Sequence, residues 1–295
     1  MTTNNAMTRR AALTTFAAAS GAALTTGETR AEEVPVPTTV DARKGRLKQA
    51  VCRWCFGRLE LDELAREAAA MGLAGIDLLS EDDWPVVQKH GLTCTMANGP
   101  SGLSDGWNTL DNHDALIERS KELMPKLAEA GLHNMIVFSG NRRGISDEEG
   151  ITNCARGLEK ILPLAESLDI TLFMELLNSK RNHPDYQCDH TAWGVELAKQ
   201  LDAPRFKLLY DIYHMQVMEG DIIATIQENM DYIGHFHTAG VPGRNEIDET
   251  QELNYRRISE AIADTGFDGY FAHEFAPRRR DGLASLRQAI EICMV

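Results

Sequence analysis

The sequence is poor in several things, and each shortage removes a class of protein. Basic residues are outnumbered, 30 against 44 acidic, for a formal charge of −14. A chain whose main task is neutralising nucleic-acid phosphates, or gripping an anionic membrane through a polybasic surface, would show the opposite balance. Six cysteines in 295 residues are too few for a disulfide scaffold. Neither Gly-x-Gly-x-x-Gly nor a Walker signature follows the first predicted strand, which weakens a doubly wound nucleotide fold. No uninterrupted apolar run is long enough to be read as a spanning helix. The expected partner is a small molecule.

What is present begins with a leader-like segment. Thr8-Arg9-Arg10 precedes Ala11 to Thr26, an uncharged stretch rich in Ala, Thr and Leu. Paired arginines before a mildly apolar segment predict export by a twin-arginine-type signal, to a periplasmic or other extracytoplasmic location. Without use of that signal the location would be cytoplasmic. The signal and a short linker are assigned to residues 1–33, and Val34-Pro-Val-Pro37 reads as extended chain. No stable membrane insertion is expected after signal removal.

Beyond the linker, short apolar runs alternate with longer amphipathic ones. Strands are predicted at Ala50–Phe56, Gly75–Leu79, Leu92–Asn98, Asn134–Ser139, Thr171–Leu176, Phe206–Asp211, Tyr232–His237 and Gly269–Glu274. Periodic helical stretches lie between them, among them Leu61–Met71, Asp114–Ala130, Asp147–Leu168 and Thr191–Leu201. Such alternation implies a parallel sheet covered by helices, and eight units match a single (β/α)8 TIM barrel over residues 45–295. Cys52-Arg-Trp-Cys55 falls in the first predicted strand, where residues three apart face opposite sides, so a redox or zinc pair is not favoured there. The outer helices leave room for a homo-oligomer, but no face is apolar enough to argue a particular dimer.

A parallel barrel places its reactive groups where strands end, because all eight carboxyl ends open on one face. Strand five ends at Glu175, strand six at Asp211, strand seven at His237 and strand eight at Glu274. Consecutive members are about one barrel unit apart, so four neighbouring strands deliver three carboxylates and one imidazole to the same rim. Carboxylates crowded in a dry site raise one another's pKa values unless a cation neutralises them. This oxygen-rich, one-nitrogen set suits one divalent ion, Mg2+ or Mn2+, better than a thiol-preferring zinc site. His214 and Arg244 lie on loops leaving the same rim and are assigned to substrate oxygens, Arg244 to a carboxylate held in a bidentate fork. His235, two residues before His237, faces the same side of its strand and is placed in a deeper layer. Trp54, Phe56 and Trp107 are read as core before pocket wall, and Asn141-Arg142-Arg143 as a solvated loop.

The segments Lys207-Leu-Leu-Tyr-Asp211-Ile-Tyr-His214, His235-Phe-His237-Thr-Ala-Gly-Val-Pro-Gly-Arg244, Glu252-Leu-Asn-Tyr255 and His273-Glu274-Phe resemble the hydroxypyruvate isomerase family. That family belongs to the xylose-isomerase-like barrels, which also include ketose 3-epimerases and endonuclease IV. The resemblance runs over roughly Ala50 to Val295. It implies a metal-dependent aldose–ketose isomerase acting on a small sugar or sugar acid, with hydroxypyruvate to tartronate semialdehyde as the family reaction. It implies Glu175, Asp211, His237 and Glu274 as ligands of one divalent ion, and Glu175 and Glu274 as the pair that moves protons. Two features depart from the family pattern. His237 stands where bacterial hydroxypyruvate isomerases tend to carry Gln, as in the ketose epimerases. The run Glu246-Ile-Asp-Glu-Thr-Gln-Glu252 is longer and more acidic than expected. Besides the isomerase, these leave open a ketose 3-epimerase, another keto-sugar-processing enzyme and, outside catalysis, an exported carbohydrate-binding barrel.

Overall fold

The computed structural model describes residues 45–295, and the predicted signal and linker over residues 1–33 lie outside that range. Eight strands form one closed parallel barrel: β1 Lys48–Cys52, β2 Gly75–Leu79, β3 Thr93–Ala97, β4 Asn134–Val137, β5 Thr171–Glu175, β6 Phe206–Asp211, β7 Ile233–Thr238 and β8 Tyr270–His273. They pair in sequence order, and β1 closes the ring on β8 through the Ala50–Ala272 register. Among the described residues ten α-helices, α1 to α10 in chain order, lie in the segments that follow the strands, from α1 Leu61–Ala70 to α10 Gly282–Ile292. Among the described residues no helix is long and apolar enough to cross a membrane.

Most element ends fall within one or two residues of those expected, and three differences have a local reason. The first strand stops at Cys52, and Arg53–Phe56 coils into one 3-10 turn. Trp54 and Cys55 therefore leave the sheet, and Trp54 is 46% exposed instead of being packed in the core. The long helix predicted over Asp147–Leu168 is two, α4 Asp147–Leu158 and α5 Leu162–Ser167. Pro163 has no N–H to continue the first and sits in the opening turn of the second, where none is needed. The last strand ends at His273, yet the Glu274 amide still donates to the Thr238 carbonyl at 2.9 Å, which holds Glu274 at the barrel rim.

Two apolar regions meet at the barrel wall. The larger one packs the outer strand faces against the helices and includes Trp107 and Phe56, both buried. The smaller one comprises Met96, Ile136, Phe173 and Leu209. Phe173 and Leu209 stand two residues before Glu175 and Asp211, and period-two geometry puts each pair on one strand face. The interior is thus plugged with apolar side chains and becomes polar toward the carboxyl ends. Small residues close the seam: Ala50, Cys52 and Ala272 cluster where β1 meets β8.

Gly75 at the start of β2 has no room for a side chain, since an added Cβ would stand 2.1 Å from the Thr93 carbonyl oxygen of β3. Gly75→Ala is expected to force these strands apart and to lower unfolding stability by about 1–3 kcal/mol, the usual range for overpacking. The midpoint of urea denaturation measures the loss.

Candidate active site

Glu175, Asp211, His237 and Glu274 converge at the barrel rim. One donor atom from each lies within 4.8 Å of all the others, and all four residues are buried. His237 Nδ1 stands 3.2 Å from Glu175 Oε1 and 3.0 Å from Glu274 Oε2. Asp211 uses its other oxygen to cap α7 (Ile212–Met218), accepting from the His214 amide at 3.1 Å. The helix start immediately after β6 thereby orients the carboxylate.

Arg244 reaches into this group from the loop after β7. Its Nη2 donates to Glu274 Oε2 at 2.5 Å and to Asp211 Oδ2 at 3.3 Å. Its guanidinium lies 5.1 Å from the Trp54 ring centre and 5.5 Å from that of Tyr213, in reach of cation–π attraction. The Trp54 indole N–H donates to Glu274 Oε1 at 2.7 Å, so both oxygens of Glu274 are engaged. Arg244 adopts a left-handed backbone (φ 59°) directly after Gly243 (φ 99°), the turn that aims its side chain inward.

The charges separate accordingly. Burial works to raise the Glu274 carboxyl, but Arg244 and His237 overcome it and hold it well below the usual range. Burial, aided by Glu274, raises the Glu175 carboxyl. Burial pushes Asp211 up to about 8, with Glu274 and Glu175 adding to the rise and Arg244 opposing it. The two glutamates thus have opposite proton affinities in neighbouring positions, the arrangement that assigns acid and base roles elsewhere.

His214 is placed at this rim by α7. Its Nδ1 accepts from the Asn178 amide at 3.1 Å, which leaves the proton on Nε2. That Nε2 is buried and has no hydrogen-bond partner among the described residues, and it lies 3.6 Å from Asp211 Oδ2. Burial keeps the ring neutral by lowering its pKa well below the ordinary value. An unpaired donor aimed at a carboxylate cluster is suited to a substrate oxygen. The His183 ring packs 5.2 Å from that of His214, so it borders the group without entering it.

Asp77 was not foreseen. It is fully buried on β2, and its Oδ2 accepts from His235 Nε2 at 2.6 Å and from His237 Nε2 at 3.0 Å. Thr95 donates to its second oxygen. Burial would raise this carboxyl, but the two imidazoles outweigh it and keep Asp77 ionised. Nε2 of His237 meets Asp77 and its Nδ1 meets Glu175 and Glu274; burial would lower the pKa of this ring, but Cys52, Glu274 and Asp77 together raise it well above the ordinary imidazole value. His235 occupies the deeper layer expected for it, as the second arm of this bond network. Cys52 Sγ lies 3.7 Å from His237 Nε2, and burial raises its thiol well above the ordinary pKa. All six cysteines are free.

Three carboxylates and one imidazole gathered at these distances form a donor set that could hold a hard divalent ion. The other expected or weighed residues fall elsewhere. Arg142 pairs with Asp147 and Asp189, and Arg143 with Asp105, so this loop is tied down by its own ion pairs. The acidic run after Arg244 is anchoring. Glu246 accepts from the Arg278 and Arg279 amides at 2.9 and 3.0 Å and from Ser285 Oγ at 2.9 Å, while buried Asp248 pairs with Arg279. These contacts fasten the loop carrying Arg244 to the loop after β8.

A closed (β/α)8 barrel with carboxylates and histidine gathered at its carboxyl rim defines the class, an enzyme of the TIM-barrel type. The sequence profile of the xylose isomerase-like TIM barrel family matches residues 65–293, and the chain belongs to that family. It is 28% identical over 238 residues to a hydroxypyruvate isomerase of Escherichia coli K12, covering 74% of this chain and 90% of that protein. It is 25% identical over 236 residues to a 2-oxo-tetronate isomerase of Pectobacterium atrosepticum, covering 74% and 88%. Among solved structures, an AP endonuclease of family 2 from Brucella melitensis superposes with TM-score 0.74 at 22% identity, over 84% of this chain and 97% of that one. With curated relatives of this kind in a shared family, the chain is an isomerase.

Two outcomes are expected from this geometry. Should these four residues hold a divalent ion, Asp77→Ala is expected to weaken Mn2+ binding by roughly 10–100-fold, as loss of a carboxylate behind a ligating histidine does, and Asp77→Asn, whose amide oxygen still accepts, to weaken it less; titration calorimetry reads both. Backbone amides and Ser285 hold the Glu246 carboxyl below its ordinary pKa against the effect of burial. The stability it contributes is therefore present above about pH 4.3 and is lost as pH falls through the lower folded value. Glu246→Gln should flatten that acid limb in thermal melts taken below about pH 4.3.

Proposed function

We propose that this chain catalyses the divalent-metal-dependent isomerisation of a small sugar acid through an enediolate, with hydroxypyruvate to tartronate semialdehyde as the reaction. The observation that carries the reading is the convergence of Glu175, Asp211, His237 and Glu274, one donor atom each within 4.8 Å. These four would hold Mg2+ or Mn2+, and the ion when bound would supply Lewis-acid polarisation of the substrate carbonyl.

The remaining work falls to the chain's own groups. In hydroxypyruvate the carbon acid is the hydroxymethyl C3, beside the C2 carbonyl. Glu175, with its raised proton affinity, takes the proton from C3, and the electron pair moves into the C2–C3 bond to form the enediolate. A proton returns to C2 while the oxygen-bound proton passes from O3 to O2, so the product is an isomer with no net gain or loss. Glu175 and Glu274 stand on strands three apart around the barrel and approach the substrate from different sides, which leaves either able to deliver the second proton. His214 Nε2–H donates to a substrate oxygen. Arg244, already held among carboxylates, is placed to turn toward the substrate carboxylate and grip it in a fork. Trp54 fixes Glu274 through its indole N–H and shields the site.

One observation favours a second reading. The imidazole of His237 at the strand-seven position is the ligand type of the ketose 3-epimerases, for which the proton returns to the carbon it left.

The test is solvent-deuterium incorporation followed by proton NMR, with Mn2+ present and hydroxypyruvate or D-fructose supplied separately. Exchange should appear with hydroxypyruvate and vanish with chelator. Glu175→Gln and Glu274→Gln should each lower it at least about 10²-fold, the low end for a lost proton-transfer group. Exchange at C3 of fructose instead would establish the epimerase. Absence of exchange with both compounds, in protein that binds Mn2+, would overturn the reading.

A further inference from the structure

Beside the carboxylate group, the barrel mouth holds a cavity of about 710 Å³ that the chemistry above does not use. It lies between the turn after β1 and the loop after β8. Trp54, Phe56, Pro277 and Leu283 line it with apolar surface, and Arg58 and Arg280 lie at its edge. Its size falls within the roughly 300–1,000 Å³ typical of small-molecule sites. It adjoins the reacting centre through shared residues. Trp54 lines it while donating to Glu274, and Ala276, also in the lining, donates its amide to the Arg244 carbonyl at 2.8 Å.

The charge at this edge runs against the rest of the molecule. The chain carries −14 overall, yet Arg278, Arg279 and Arg280 are consecutive, and Arg58, Arg279 and Arg280 all line the cavity. Arg279 is spent on Asp248 and Gln288. Asp281, the acid among the lining residues, accepts from the Ala284 amide as the cap of α10. Arg58 and Arg280 are exposed and have no carboxylate partner among the described residues. An aromatic wall with unpaired guanidinium groups beyond it matches a molecule with a sugar-like body and an anionic end. A three-carbon acid reacting at the carboxylate group would leave all of this empty.

We propose that this cavity is a second subsite, which takes the distal anionic group, carboxylate or phosphate, of a keto-sugar longer than three carbons. Trp54 packs against the carbon chain between the two sites, and Arg58 and Arg280 hold the far charge. The inference rests on the isomerase reading for which end of the substrate reacts, but the subsite itself is testable by binding alone.

The experiment uses the full chain and titration calorimetry with D-fructose 6-phosphate, D-fructuronate and D-fructose, in Mn2+ and again in chelator. At least one anionic sugar should bind tenfold or more tighter than D-fructose, and the stronger of the two identifies the preferred group. That preference should fall with added salt, as surface charge pairing does, and survive chelation. In Arg58→Gln/Arg280→Gln it should shrink to within twofold, while D-fructose affinity and the melting midpoint stay unchanged. Equal binding of charged and neutral sugars would overturn the subsite, as would a preference that survives in the double variant. A change of sedimentation mass in the variant without loss of preference would reassign the cavity to contact between two copies of the chain. Deuterium exchange without any anionic preference defeats the subsite alone, and anionic preference without exchange defeats the isomerase reading alone.

Discussion

The structure depends on a conflict that the barrel creates by closing. Four neighbouring strands carry Glu175, Asp211, His237 and Glu274 at or just beyond their carboxyl ends, and closure brings one donor atom of each within 4.8 Å in buried surroundings. Unopposed, such a group would expel its own charge by taking up protons. The surrounding residues manage that conflict from two sides. From beneath, Asp77 accepts from His237 and favours its protonated form beside the carboxylates; from above, Arg244 places a positive charge against Glu274 and Asp211. Both depend on the parallel barrel, since one comes from β2 and the other from the loop after β7.

Much of this was legible in the sequence. Strand-ending acids spaced by about one barrel unit were enough to bring four residues to one rim, because the fold repeats with that period. His214 and Arg244 followed from being a few residues beyond two of those ends. The acidic run from Glu246 to Glu252 stood out as a departure, and its use was hidden because its partners are backbone amides at 278 and 279, which carry no sequence signal.

Two participants were illegible for different reasons. Asp77 lies mid-strand in Gly-Ile-Asp-Leu, and its partner His235 is 158 residues away, so no local pattern marks it. A buried acid surrounded by apolar residues is the signal that was available, since such a group must find partners. Trp54 was misplaced because its apolar neighbours read as strand. The 3-10 turn at Arg53–Phe56 depends on the barrel mouth opening there, and that is a tertiary effect.

The way Glu246 seats the mouth has an evolutionary side. Its carboxylate grips the chain at positions 278 and 279 by amide hydrogens that every residue except proline provides. The side chains at 278 and 280 are therefore not part of the fastening and are open to change. A lineage could replace those arginines, and with them the molecules admitted at the entrance, while the arginine that serves the reacting centre keeps its place. Variation in diet and constancy of chemistry are thereby assigned to two different loops of the same mouth.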